Sequence, residues 1–184
     1  YLVAHAGYKG ALFLVAGAID HEAGTRDISA LAGLRRAVPI TALAGGGAAI
    51  SMAGVPLTLG FAGKAGAYEA MLHASDWFPW LLVLIVFASI LLGLAALLAG
   101  VLPFRGATNL RDVHDPAWPL WIPPLLLATT GLLAGMVPSI LDGPLSSAAS
   151  AIAGAPVDVS LSVWHGMTPS LLLSVLTLAA VGIA

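Results

Sequence analysis

The sequence predicts an all-α polytopic membrane protein with about five transmembrane helices, one of them discontinuous near 54–60. Two observations predict it. Of 184 residues, 59% are hydrophobic and only 9% are Asp, Glu, Lys or Arg, against roughly 25% charged in a soluble domain. Those few charges also leave long gaps. Residues 37–63, 77–104, 116–141 and 159–184 contain none, and each gap exceeds the roughly 20 apolar residues a helix needs to cross a bilayer. The gaps lack the alternation of barrel strands, and a lipid-exposed backbone must satisfy its own hydrogen bonds, so they read as helices. Net charge is −2, with seven basic and nine acidic residues, which gives no basic excess to attract nucleic acid. Absence of cysteine excludes a disulfide framework, thiolate zinc and ordinary iron–sulfur sites. No cofactor or metal is expected.

Taken in order, membrane helices are expected near 1–19, 40–73, 79–102, 119–141 and 161–184. Trp77 and Trp80 flank the third and Trp118 and Trp121 begin the fourth, positions that suit the aromatic belt at headgroup level. The stretch 40–73 is too long for one plain span and short for two. Within it, Gly54-Val55-Pro56 predicts a break, because proline removes a backbone donor and clashes with the preceding turn. Loop 20–36 holds Arg26, Arg35 and Arg36, and loop 103–118 holds Arg105 and Arg111, whereas 74–78 and 142–160 hold no Lys or Arg. One crossing by 40–73 puts both arginine loops on the same, cytoplasmic side. The chain opens on Tyr1 without a charged n-region, so no signal peptide is read. Both ends read as cut within helices, as in a segment of a longer protein.

The connectors carry less chemistry. Asp27 predicts the start of a short amphipathic helix over 28–37, with Arg35 and Arg36 facing headgroups. Asp20, His21 and Glu22 are consecutive, with no second ligand group nearby, which argues against a metal site. His114, with Asp112 and Asp115, reads as solvated loop. The stretch 142–160, rich in Ser, Ala, Gly and Pro, reads as an external connector. Gly45-Gly46-Gly47 lacks the strand–turn–helix context of a nucleotide loop and reads as close helix packing.

Ionisable residues inside the spans each need a reason, since a charge at a helix centre costs roughly 2.5–3.5 kcal/mol on insertion scales. Tyr1, His5 and Lys9 stand at i, i+4 and i+8. They drift about 80° around the helix and rise about 6 Å per step, forming one polar stripe that can pass a proton through intervening waters. Lys64, Glu69 and His73 follow the break, where half-helix ends line polar cavities in transporters. Glu69 and His73 are i, i+4 neighbours, while Lys64 and Glu69 do not share a face. The alternative for both lysines is an ion pair that holds an assembly together. His165, after Trp164, reads as interfacial, with a proton role as the second possibility.

His5-Ala6-Gly7-Tyr8-Lys9-Gly10-Ala11-Leu12-Phe13 is similar to the His-Ala-x-x-Lys-x-x-Leu-Phe helix of antiporter-like subunits. Those are the large proton-pumping membrane subunits of respiratory Complex I and of Mrp-type multisubunit Na+/H+ antiporters. Gly33-Leu34-Arg35-Arg36 before Pro39 resembles their Gly-Gly-Leu loop, and Gly54-Val55-Pro56 through Gly60-Phe61-Ala62-Gly63-Lys64 resembles their broken helix. Asp20-His21-Glu22, Gly24-Thr25-Arg26-Asp27 and Trp164-His165-Gly166 resemble the Mrp A subunit more than Complex I. The likeness is close over 1 to about 75. It implies that residues 1–75 are the second half of an antiporter-like proton-translocating core, part of a larger helix bundle, with 76–184 the helices that follow. It implies Lys9 and Lys64 as protonatable residues of a proton path and His5 as a relay. Glu69, His73, Tyr1 and His165 are further candidates for that path. The family's partner glutamate and first-half lysine are implied upstream of Tyr1. A transporter component rather than an enzyme follows, in the plasma membrane of a prokaryote, with other Mrp subunits, Na+, H+ and the bilayer as partners. Two alternatives stand beside it: a redox-driven pump subunit of Complex I or a membrane hydrogenase, and a structural membrane module.

Overall fold

A computed structural model describes residues 1–72, 78–107, 110, 112–162 and 168–183. Among them lie seven α-helices and no strand: α1 Leu2–Ala23, α2 Pro39–Ala53, α3 Leu59–Leu72, α4 Phe78–Gly100, α5 Trp118–Met136, α6 Asp142–Ala153 and α7 Pro169–Ile183. Three stretches, Leu2–Ala23, Trp80–Phe104 and Trp118–Met136, are long and apolar enough to cross a membrane, and α2 and α7 are shorter apolar helices. The outer faces stay apolar: Trp80 is 78% exposed and Phe13 71%. A soluble protein would not present this, but lipid or neighbouring helices would cover it.

Helices α1, α2 and α5 pack on one another; α2 also meets α4, and α3 lies against α5 and α7. Small residues let the backbones close in. A Cβ at Gly100 would stand 2.6 Å from the Gly45 carbonyl oxygen, and one at Gly45 would stand 2.9 Å from the Phe104 ring. The core between α1, α2, α4 and α5 is accordingly built of Ala4, Ala11, Ala48, Ala49, Ala96 and Ala128 around Tyr8 and Leu12.

The break expected near 54–60 separates α2 from α3. Gly54 ends α2 in the left-handed region at φ 76°, and Leu57 is also left-handed at φ 69°. Thr58 then starts α3: its Oγ1 donates to the Val55 carbonyl at 2.7 Å and accepts from the Phe61 N–H at 3.2 Å. Across the break, Gly60 N–H donates to Ser51 Oγ at 3.3 Å, and a Cβ at Gly60 would run into the Ser51 carbonyl. A Cβ at Gly135 of α5 would likewise collide with the Thr58–Leu59 backbone.

Three connectors differ from expectation. The amphipathic helix over 28–37 is instead a turn at Asp27 and a 3-10 turn at Leu34–Arg36, because Gly33 adopts φ 68° and donates its N–H to the Arg105 carbonyl at 2.7 Å. Leu31 and Leu34 are thereby driven into a core with Val15, Ile19 and Phe104. Within 142–160, the alanine-rich stretch Asp142–Ala153 is helical. Its serines clamp the chain that returns alongside: Val159 N–H donates to Ser146 Oγ at 2.9 Å and Val157 N–H to Ser150 Oγ at 2.8 Å. Asp115 is no solvated loop residue. Its carboxylate accepts the Ile40 and Thr41 N–H groups, both at 3.0 Å, and Thr41 Oγ1 at 2.9 Å. That satisfies orphan donors at the start of α2.

Candidate functional site: lysines at a broken helix

Lys64 lies in the second turn of α3 and is 7% exposed. Its ammonium reaches back over the break and donates to the Ala53 carbonyl at 3.3 Å, at the C-terminal end of α2. A helix end leaves such carbonyls unpaired, and a cation there also opposes the negative end of the helix dipole. Gly54 makes room for this reach, since a Cβ there would sit 2.9 Å from Lys64 Cδ. Lys64 Nζ also stands 6.0 Å from the centre of the Tyr68 ring, one turn on. No carboxylate pairs with it among the described residues.

On α1, the structure groups Tyr1 and His5 with Tyr8, a residue that does not stand out in the sequence. His5 Nδ1 is 3.0 Å from the Tyr8 hydroxyl, which donates to the Tyr1 hydroxyl at 3.4 Å. The Tyr1 and His5 rings stand 5.7 Å apart, and Tyr8 is 4% exposed. A signal for it exists: Tyr8 is three residues from His5 and seven from Tyr1, on the same face of α1. Lys9 does not join this cluster. It is half-buried, and its Nζ lies 5.7 Å over the Phe13 ring. Tyr1 meets α3 directly, its Cα 3.2 Å from where a Cβ of Gly63 would stand. The polar groups of α1 thus abut the helix that carries Lys64.

Glu69 is on the exposed face of α3. His73 and His165 lie outside the described residues. Asp20 pairs with Arg26 at 2.8 Å, and Glu22 faces His114 at 3.3 Å. These contacts, with Gly33 to Arg105 and Asp115 to α2, gather both arginine-bearing loops at one end of the bundle.

Residues 1–93 match the model of the family described as NADH:quinone oxidoreductase/Mrp antiporter, transmembrane. The chain is 35% identical over 97% of its length to a probable K(+)/H(+) antiporter A/B subunit of Rhizobium meliloti, of which it covers 19%. It is 30% identical over its whole length to the A1 subunit of a Na(+)/H(+) antiporter of Staphylococcus aureus, of which it covers 24%. A chain in the structure of the Mrp complex from Dietzia sp. DQ12-45-1b superposes at TM-score 0.83 with 33% identity, over 98% of this chain and 20% of that one. The chain therefore spans about a fifth to a quarter of the length of these relatives. It belongs to the NADH:quinone oxidoreductase/Mrp antiporter transmembrane family, among the Mrp-type antiporter subunits.

Proposed function

We propose that this chain carries part of the proton path of a multisubunit monovalent cation/proton antiporter, working with the other Mrp subunits in a prokaryotic plasma membrane. Residues 1–75 form the second half of the translocating core, and 76–184 are the helices that follow. Lys64 and Lys9 take up and release the proton and His5 relays it, with Tyr1, Glu69, His73 and His165 as further candidates for the path. Proton movement is coupled to the outward movement of Na+. Na+ is favoured by likeness to the staphylococcal relative, although the Rhizobium relative is named for K+. No bond in a substrate is made or broken. The clustering of both arginine loops at one end supports a cytoplasmic position for 20–36 and 103–118.

One observation carries this reading. Lys64 is a buried lysine at a helix break, held by a single backbone carbonyl and no carboxylate among the described residues. Burial disfavours the charged form of an amine, and an ion pair would oppose that. The same hydrogen bond favours a second reading, in which Lys64 merely caps α2 as a structural device. Na+-driven proton movement in inverted vesicles that contain the whole complex separates the two. Lys64→Arg keeps a cation but cannot release its proton. Loss of exchange in both Lys64→Ala and Lys64→Arg, with the complex assembled, is the expected result. Normal exchange in Lys64→Arg would overturn the titrating role and leave the cap.

A further inference from the structure

Tyr68 is 0% exposed, and its hydroxyl has no hydrogen-bond partner among the described residues. Leaving such a group unpaired in an apolar interior is costly, because it forfeits its hydrogen bond to water without replacement. The hydroxyl faces Ser89 of α4 and Thr177 of α7. Both spend their hydrogens on their own helices: Ser89 Oγ donates to the Ile85 carbonyl at 2.7 Å and Thr177 Oγ1 to the Ser174 carbonyl at 2.8 Å. With Tyr68 these two hydroxyls supply three polar groups, within the two to four partners that a buried water takes.

Thr177 is also the inner end of a row. Ser174 Oγ donates to the Ser170 carbonyl at 2.9 Å, and Ser170 Oγ is 2.9 Å from Thr168 Oγ1. Ser170, Ser174 and Thr177 are 6%, 1% and 1% exposed. From Thr177 to Thr168 the row climbs about 14 Å, the rise of nine helical residues. It thus leads from the interior to the end of the bundle where α7 begins. Hydroxyls that bond their own helix are ordinary in membrane proteins and account for the serines and threonines. They do not account for an unpaired tyrosine hydroxyl aimed at them. Among the described residues, the titratable groups that face Tyr68 are Lys64 on its own helix and Tyr1 at the start of α1.

We propose that Tyr68 and the α7 hydroxyl row are the outlet of the Lys64 site, a water-bridged chain that carries the proton from Lys64 to the end of the bundle where α7 begins. The inference rests on the reading of Lys64 as a titrating group. An N–H of the Lys64 ammonium gives its proton to a water. That water protonates the Tyr68 oxygen as the tyrosine passes its own proton to the water held by Ser89 and Thr177. Further waters hand the proton on past Ser174, Ser170 and Thr168, whose hydroxyls stay bonded as they are and lend only lone pairs; each relaying oxygen gains one proton and loses one, no electron is transferred, and the proton leaves to bulk water beyond Thr168. Lys64 ends neutral and is recharged from the other side.

The test is Tyr68→Phe, which keeps the ring and removes only the hydroxyl, in inverted vesicles with the complete complex and rates normalised to assembled complex. The expected result is a fall of at least about tenfold in maximal exchange rate with half-saturating Na+ unchanged, as for loss of a proton-transfer group. Thr177→Val falls in the same way, and Thr177→Ser stays near wild type. A Tyr68→Phe rate within about twofold of wild type overturns the outlet, as does a fall that disappears on normalisation. Lys64→Arg is run alongside. Normal exchange there overturns the lysine reading itself, whereas loss in Lys64→Arg with normal Tyr68→Phe overturns the outlet alone.

Discussion

Gly54→Ala strikes the break at the residue that permits Lys64 to reach α2. The substitution does two things. It places a Cβ on a backbone held at φ 76°, where an L-residue loses about 1–2 kcal/mol. It also sets that Cβ 2.9 Å from Lys64 Cδ, so the flexible lysine stem must shift and its bond to the Ala53 carbonyl is strained. A hydrogen bond to a charged group is worth about 1.5–3 kcal/mol, so the cost runs from about 1 kcal/mol, if the shifted lysine keeps the bond, to about 5 kcal/mol if it is lost. Gly46→Ala is the control, since nothing stands within 4 Å of a Cβ there and Gly46 sits inside α2. The assay is the yield of assembled complex and its thermal midpoint in detergent, followed by exchange in vesicles. Gly54→Ala is expected to lower the midpoint and to depress exchange per assembled complex, while Gly46→Ala leaves exchange near wild type and the midpoint unchanged or slightly raised. A Gly54→Ala complex with wild-type midpoint and exchange would refute the reasoning, because Lys64 would then not depend on passage over Gly54.

Two further outcomes follow from the same geometry. Asp115→Ala removes the carboxylate that takes both N–H groups at the start of α2, with an expected cost of about 1–3 kcal/mol and faster amide exchange confined to Ile40, Thr41 and their turn; unchanged protection at those amides would contradict the cap. In loop 20–36 the Ser29 hydroxyl and N–H donate to Asp27, which holds that carboxyl below its ordinary value. The turn is therefore favoured above the ordinary carboxylate range and loses this support as pH falls through the lowered value, so Ser29→Ala should move the Asp27 titration, read by carboxyl-carbon NMR, upward.

Much of the architecture was legible because lipid imposes a coarse rule. Charge-free gaps of span length are helices, and Gly54 with Pro56 in a gap too long for one plain span marks the break. The lysine at the break was legible too, since a charge in an apolar run stands out. What was hidden depended on partners far away in sequence. Asp115 caps a helix 75 residues upstream, which no local pattern around His114 reveals. Tyr8 and Tyr68 escaped notice for another reason. A tyrosine in an apolar helix looks alike whether it sits in the headgroup belt or in a buried polar cluster, and only the neighbouring helices decide. The helix over Asp142–Ala153 was masked by its Gly and Pro, although its alanines favour the helix and its serines find partners in the returning chain.

The interruption between α2 and α3 invites comparison with a hinge, but its contacts make it a weld. Gly60 is pressed against the Ser51 carbonyl, Thr58 ties the link to α3, and Gly135 lets the α5 backbone bear directly on Thr58 and Leu59. Rotation about the link would drive backbone into backbone on both sides, and packed interiors of this kind do not deform gradually. The rocking of rigid halves, which runs on microsecond-to-millisecond timescales, therefore has no pivot here. What can move at this point is the long side chain that bridges the gap, together with any water beside it. In this segment the movement that the packing leaves open is rotamer exchange of Lys64, on a faster timescale than domain motion.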